Sequence, residues 1–128
     1  MKLRIKENSL RLRVMRSELE RLQAGERIEA SIRFGPAADA VLRYSLAIEA
    51  TAKDPIGVSF HLQEIATRIS REQLELWSSE VQVGLYASLP IDSGTTLEVS
   101  IEKDFACLDS NGEENADTFA NPLSGTVC

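Results

Sequence analysis

The N-terminal stretch from Lys2 to Val14, KLRIKENSLRLRV, alternates basic side chains with aliphatic ones. Basic groups on one face of a β-ribbon can bind phosphates or base edges, as in proteins that read DNA with a sheet. The candidate anion or nucleic-acid contacts of this stretch are Lys2, Arg4, Lys6, Arg11 and Arg13. The alternative interpretation is that carboxylates of a neighbouring strand neutralise these cations inside the protein.

The register of this hairpin follows from matching its aliphatic residues across the two strands. The match sets Leu3 opposite Leu12 and Leu10 opposite Ile5, and it sets Arg4 opposite Arg11 and Lys2 opposite Arg13. Like charges directly opposite each other destabilise a sheet. We therefore expect the carboxylates of Glu98 and Glu102, or of Glu29, to lie beside these basic pairs.

The side chains that could form a metal site or a nucleophile are few. Cys107, Cys128 and His61 are the candidate ligands, but their spacing matches no zinc motif, so no metal is predicted. The acidic neighbours of Cys107 disfavour a reactive thiolate, and we expect a buried, structural thiol. His61 stands on the polar side of its strand and is predicted to be a surface residue.

Motif patterns also argue against an enzyme. The segment that begins at Asp109, DSNGEENAD, resembles a calcium loop, but Glu114 occupies the glycine position and Ala120 the position of the bidentate glutamate. The chain contains no Walker A loop, no G-x-S-x-G motif and no dinucleotide-binding glycine pattern. We expect no cofactor and, on balance, no catalytic activity.

Strands and short helices must position these residues. Period-two alternation predicts about eight strands, including 81–88, ended by Pro90, and 96–103. Capping-box spacing predicts two helices, one at about 18–24 capped by Ser17 and one capped by Ser70 that holds a buried Trp77. The pattern of hairpin, helix and hairpin occurs twice, which suggests a duplication.

The fold class that follows is α+β and mainly antiparallel β, with about eight strands in a curled sheet, barrel or sandwich and two short helices. We expect a single β-rich domain at residues 1–108 and an acidic, loop-like tail at 109–128. In the turn of the first hairpin, Asn8 is expected to supply the tolerance for positive φ.

Charge is distributed unevenly along the 128 residues. The net charge is −6, yet residues 1–27 hold eight Lys/Arg and four Asp/Glu. An acidic protein has little general attraction for nucleic acid, so binding to DNA is expected only through the basic hairpin. Neither a signal peptide nor a membrane span is predicted, so we expect a soluble cytoplasmic protein.

Two resemblances extend these predictions. The segments MKLRIKENSLRLRVMRSELERL and SIRFGP, with the ending IEKDFACLD…DTFANP…C, resemble a family of small uncharacterised bacterial proteins. The stretch IKENSLRLRVMRSEL is also similar to the swapped-hairpin antitoxins and transition-state regulators, although Val14-Met15-Arg16 replaces their Ile-Pro. The first resemblance implies no activity, cofactor or catalytic residue, and the second implies a DNA-binding regulator. Our leading interpretation is a non-enzymatic binding domain with an unknown ligand or protein partner, and the DNA-binding regulator is the alternative.

Overall fold

The computed structural model describes residues 1–51 and 53–105, which form eight strands and two short helices. The elements are β1 Lys2–Lys6, β2 Ser9–Val14, α1 Arg16–Gln23, β3 Ile28–Arg33, β4 Val41–Ile48, β5 Ile56–His61, β6 Glu64–Ile69, α2 Arg71–Trp77, β7 Gly84–Asp92 and β8 Thr95–Lys103. The predicted α+β class, rich in β-strands, is confirmed. The segment 109–128, Cys107 and Cys128 lie outside the described residues, so the predictions for them stay predictions.

The strands form two four-stranded sheets and no closed barrel within the described ranges. Sheet A has the order β1-β2-β8-β7 and sheet B the order β3-β4-β6-β5. Each sheet therefore combines one hairpin from each half of the chain. The hairpins are antiparallel, but they join through parallel pairs, β2 with β8 and β4 with β6. Alternation alone predicts the hairpins and carries no information about these two parallel junctions.

The duplication suggested by the sequence is present in the fold. Residues at the N-caps of the two helices, Met15 and Ser70, stand 55 positions apart (70 − 15 = 55). The same shift relates the two parallel junctions, in which Leu12 pairs with Ile101 and Leu46 pairs with Thr67. The hairpin β1–β2 of sheet A thus corresponds to β5–β6 of sheet B, and β7–β8 of sheet A corresponds to β3–β4 of sheet B.

One hydrophobic core serves both sheets and both helices. Its buried members come from every layer: Leu12, Val14, Leu85, Val99 and Ile101 from sheet A, Ile28, Leu46, Ile56 and Ile69 from sheet B, and Leu22, Leu74 and Trp77 from the helices. Trp77 is fully buried, as predicted, and its indole N–H donates to the carbonyl of Val83 at 3.2 Å. Burial of large apolar groups is the main force that joins the two sheets.

The two helix starts differ from each other. Ser70 is an N-cap as predicted, and its hydroxyl accepts a hydrogen bond from the Gln73 amide at 3.2 Å. The prediction for Ser17 is wrong, because α1 begins at Arg16 with Met15 as its N-cap. Glu18 accepts from the Met15 amide at 2.9 Å, and the N-terminal ammonium of the chain lies 2.6 Å from the same carboxylate. A carboxylate three residues into the helix thus replaces the hydroxyl.

Two local predictions about turns are also corrected. Pro90 does not end a strand at residue 88, because β7 runs from Gly84 to Asp92. This proline lies in an edge strand next to an irregular register at Asp92. A proline is tolerated there because the sheet does not require a hydrogen bond from its backbone nitrogen. In the first hairpin, positive φ falls on Glu7 (50°), and the Asn8 side chain instead donates to the Thr96 carbonyl at 2.6 Å.

Candidate functional site

The predicted basic residues lie together on the face of sheet A that points away from the core. The predicted register is confirmed, with Arg4 opposite Arg11 and Lys2 opposite Arg13. We call this set the basic face, and its members are Lys2, Arg4, Lys6, Arg11 and Arg13. The parallel partner β8 continues the face, since Arg13 is paired in register with Glu102 and Arg11 with Ser100.

Glu102 neutralises part of the basic face, as predicted. Its carboxylate lies 3.3 Å from the Arg11 side chain and 4.0 Å from that of Arg13, and it accepts a hydrogen bond from the Tyr86 hydroxyl at 2.8 Å. The side chain of Glu102 is only 19% exposed, so these contacts are shielded more than an ordinary surface pair. This carboxylate is the centre of charge compensation on sheet A.

The prediction for Glu98 is wrong, and so is the prediction for Glu29. Glu98 accepts hydrogen bonds from the hydroxyls of Ser88 and Thr96. Glu29 lies in sheet B, where it pairs with Arg27 at 3.5 Å. The residue that the sequence did not reveal is Asp104, which binds Lys2 at 3.0 Å and follows β8 directly.

Gly84 makes room for the Glu102 contacts. A Cβ atom at this position would lie 2.8 Å from the Tyr86 hydroxyl and 2.9 Å from Cγ of Glu102, closer than real Cβ contacts allow. Partial burial raises the pKa of Tyr86, and the hydrogen bond to Glu102 and its negative charge raise it further. The phenol therefore stays protonated and remains a donor to Glu102 at neutral pH.

Arg4 and Lys6 form no ion pair with the residues that the structure describes, unlike their neighbours on the basic face. Both belong to β1, the edge strand of sheet A, and both are exposed. Among the described residues, the positive charge of the hairpin that has no ion-pair partner is therefore concentrated at these two side chains. Any anion that binds this surface would meet Arg4 and Lys6 first.

The corresponding hairpin of sheet B, β5–β6, carries apolar side chains at its end. Phe60 is 70% exposed and Leu62 is 68% exposed, although both are among the most hydrophobic residues of the chain. We call these two residues the apolar tip. A shift of 55 positions relates them to Ile5 and Glu7 of the first hairpin, so only one of the two tips is wholly apolar.

The apolar tip extends a larger surface on the core-facing side of sheet B. In register, Phe60 pairs with Ile65, Ile65 with Tyr44, and Tyr44 with Ala30. Successive residues of a strand point to opposite faces, so this row lies on the same face as the buried row formed by Leu46 and its neighbours. Farther from the buried row, Ile32 in β3 and Phe34, which directly follows β3, are also exposed.

Backbone conformation at the apolar tip is unfavourable for the residues present. Leu62 and Gln63 have φ values of 49° and 60°, the sign that a type I′ hairpin turn requires at both central positions. Asn-Gly is the favoured pair there, because bulky L-residues with positive φ are strained by about 1 kcal/mol or more each. Neither burial nor backbone preference explains a leucine at this turn.

The remaining candidate residue, His61, is exposed at the end of β5 and pairs in register with Glu64. Within residues 1–51 and 53–105, no three His, Cys, Asp or Glu side chains come together as a metal site would require. The carboxylate of Glu64 is held by Arg27 at 2.7 Å and by the Ser45 hydroxyl at 3.1 Å, so its neighbours give it a structural role.

The match to the model of a family of unknown function, DUF7009, covers residues 1–123. The chain belongs to that family. No curated protein and no solved structure matches the chain. The resemblance to uncharacterised proteins is thereby confirmed, and none of the described helices is long and apolar enough to span a membrane.

Sequence reasoning found the basic face but missed the apolar tip. Alternation places Phe60 on the apolar side of its strand, and this pattern is the same for a core residue and for an exposed one. The signal that could have found the tip is the turn itself, FHLQE, which links two strands without any glycine, asparagine or aspartate. A turn that lacks the residues its geometry favours indicates a requirement other than stability.

Proposed function

We propose that this protein is a non-enzymatic interaction domain of the bacterial cytoplasm and that the apolar tip is its principal contact surface. The observation that carries the proposal is Leu62, which is strained by its positive φ and buries little of its side chain. Residues held in sparsely populated backbone conformations are concentrated at functional sites. A contact with another polypeptide would bury Leu62 and Phe60 and offset this strain.

The surface around the tip supports the same function. Ile32 and Phe34 extend the apolar area across sheet B, and exposed aromatic and aliphatic side chains grouped on one face are typical of protein interaction sites. The charged side chains at the tip are engaged within the chain: the Glu64 carboxylate binds Arg27, and the Arg43 guanidinium donates to the Leu62 carbonyl at 2.7 Å. The ligand is therefore expected to be an apolar polypeptide surface.

A photoreactive amino acid placed at position 62 in the native cell tests this proposal. Position 7, its structural counterpart in the first hairpin, is the matched control, because both side chains are exposed at a hairpin turn. We expect adducts to polypeptides from position 62 and few or none from position 7. Equal adduct yields from the two positions, or none from either, would contradict the proposed surface.

The basic face supports a second candidate function, binding to DNA. Its specific observation is that Arg4 and Lys6, both exposed, have no ion-pair partner among the described residues. Contacts with phosphates would release counterions, so affinity for a DNA duplex would fall steeply with salt. The resemblance of the first hairpin to DNA-binding regulators agrees with this candidate, and the net charge of −6 opposes it.

A duplex titration at two salt concentrations separates the candidates. The informative variant is Arg4→Glu with Lys6→Glu, because it leaves the Glu102 contacts intact, and Arg11→Glu with Arg13→Glu provides the comparison. Salt-sensitive binding that both double variants abolish would favour DNA recognition. We expect no binding by the unchanged protein even at low salt.

A further inference from the structure

The edge strands of the two sheets differ in how they are protected. Sheet A ends in β1 and β7, and sheet B ends in β3 and β5. An edge strand exposes unpaired N–H and C=O groups that can hydrogen-bond a further strand. Natural proteins block such pairing with charged side chains, proline or a bulge.

Three of the four edges carry such protection. β1 has three basic side chains, β3 has Glu29 and Arg33, and β7 has Pro90 and an irregular register. The fourth, β5, is the sequence IGVSFH, which has no formally charged residue and no proline. Within the part of the chain that the structure describes, β6 is the only hydrogen-bonded neighbour of β5.

We propose that β5 pairs antiparallel with β5 of a second copy of this chain, about a two-fold axis at Ser59. The inference rests on the proposed function and names the partner of the apolar tip. The pairing joins two copies of sheet B into one eight-stranded sheet. Each copy contributes the same surface, as a two-fold interface requires.

The sequence of β5 is complementary to itself in this arrangement. Alternation places Ile56, Val58 and Phe60 on one face. Ile56 is buried in the core of its own copy, so the apolar contact joins Val58 of one strand to Phe60 of the other. The other face brings Gly57, Ser59 and His61 together, which are small or polar. The Arg68 side chain also lies on this face, where it donates to the Ser59 hydroxyl at 3.1 Å, and Glu49 pairs with its charge at 3.1 Å. Aromatic and β-branched side chains paired across strands stabilise a sheet by about 0.2–1 kcal/mol per pair.

The same antiparallel pairing with a second copy is unfavourable at β1, the equivalent edge of sheet A. Two β1 strands paired about Arg4 would set Arg4 against Arg4 and Lys2 against Lys6. Like charges directly opposite each other destabilise the pairing. The duplicated fold therefore offers two equivalent edges, and only the edge at β5 permits self-association.

The expected dimer is in equilibrium with the monomer. A six-residue strand and the apolar tip supply less contact than the roughly 1,200–2,000 Å² of a stable interface, so dissociation on dilution follows. Pairing places Phe60 beside the aliphatic residues of the second strand. That burial removes apolar surface from water, which favours association.

Sedimentation of the purified full chain over a series of concentrations tests the proposal. We expect a monomer–dimer equilibrium whose dissociation constant rises at least about tenfold in Phe60→Lys, since a lysine in the edge strand blocks pairing. Ile5→Lys is the matched control, because Ile5 occupies the same position in β1 and is 58% exposed. We expect this control to leave the dissociation constant unchanged.

Hydrogen exchange of the unmodified chain gives a second readout that requires no variant. Amides of β5 should become protected as concentration rises, whereas amides of β1, β3 and β7 should not. A monomer at every concentration, or equal effects of the two lysine variants, would overturn the proposal. Protection of β5 that does not depend on concentration would also overturn it, because a segment of the same chain would then cover the edge.

Failure of this inference is distinguishable from failure of the proposed function. Adducts from position 62 to a different polypeptide, together with a monomeric purified chain, would reject the second copy and retain the interaction surface. Absence of adducts from position 62, together with a monomeric chain, would reject both.

Discussion

The hairpins β1–β2 and β5–β6 have the same place in the two halves of the fold but opposite surface chemistry. Each supplies one edge strand and one parallel junction to its sheet. The first is lined by lysine and arginine, which Glu102 and Asp104 neutralise in part. The second ends in Phe60 and Leu62, which are exposed. A duplicated backbone therefore keeps its core while its two outer hairpins differ in surface chemistry.

The largest effect is expected where the two halves share the core. Trp77 and Leu22 are equivalent residues of the two helices, and both are fully buried. We expect Trp77→Ala to lower the free energy of unfolding by about 3–5 kcal/mol and Leu22→Ala by about 2–5 kcal/mol, because each leaves a cavity. Denaturant titrations would measure both. A loss below about 1 kcal/mol for either residue would mean that the halves do not share one core.

The turn of the second hairpin should respond in the opposite direction. Replacing Leu62-Gln63 by Asn-Gly relieves the strain of positive φ, and we expect the free energy of unfolding to rise by about 1–2 kcal/mol. The same change should abolish adducts to polypeptides when the photoreactive group is moved to position 60. Thermal melts would report the stability. A destabilised variant would show that Leu62 has a packing role instead.

The two helix starts provide the next contrast. Ser70→Ala removes the hydroxyl that accepts from the Gln73 amide, so we expect a loss of about 0.5–2 kcal/mol. Ser17→Ala lies inside α1, and its effect should stay within about 0.5 kcal/mol. Equal losses for the two serines, measured by urea unfolding, would contradict the assignment of Met15 as the first N-cap.

The smallest effect is expected at the basic face. Glu102→Gln removes the charge that faces Arg11 and Arg13, and we expect a loss of at most about 1 kcal/mol, because these arginines are partly exposed and solvent screens the pair. Glu98→Gln is the control and should change stability less, since the Glu98 carboxylate accepts hydrogen bonds from the uncharged hydroxyls of Ser88 and Thr96. Salt should reduce the difference between the two variants.

Spectrophotometric titration gives a separate check on the Glu102 contact. The pKa of Tyr86 should fall toward its ordinary value in Glu102→Gln, because the negative charge that opposes ionisation is gone. Partial burial, the first cause of the raised pKa, remains in the variant. An unchanged titration would mean that the hydrogen bond between Tyr86 and Glu102 is absent in solution.

Local patterns predicted much of the fold and half of the candidate site. The register of the first hairpin followed from Leu3, Ile5, Leu10 and Leu12, because side chains alternate and a two-residue turn fixes the offset. The helix starting at Arg71 followed from Ser70 and Gln73. Ser17 failed as a cap because α1 begins two residues earlier than predicted and Glu18 accepts from the Met15 amide, a choice that the shared capping-box pattern could not distinguish.

The sequence by itself determined the hairpins, the basic alternation of β1 and β2 and the buried position of Trp77, since these depend on neighbours along the chain. Only the tertiary structure decided that hairpins from different halves pair in parallel, that Glu102 and not Glu98 faces the arginines, and that Phe60 and Leu62 stay exposed. The physical reason is that alternation specifies two faces for each strand. Which strands become neighbours, and how far the core extends along each face, depends on contacts between residues distant in sequence.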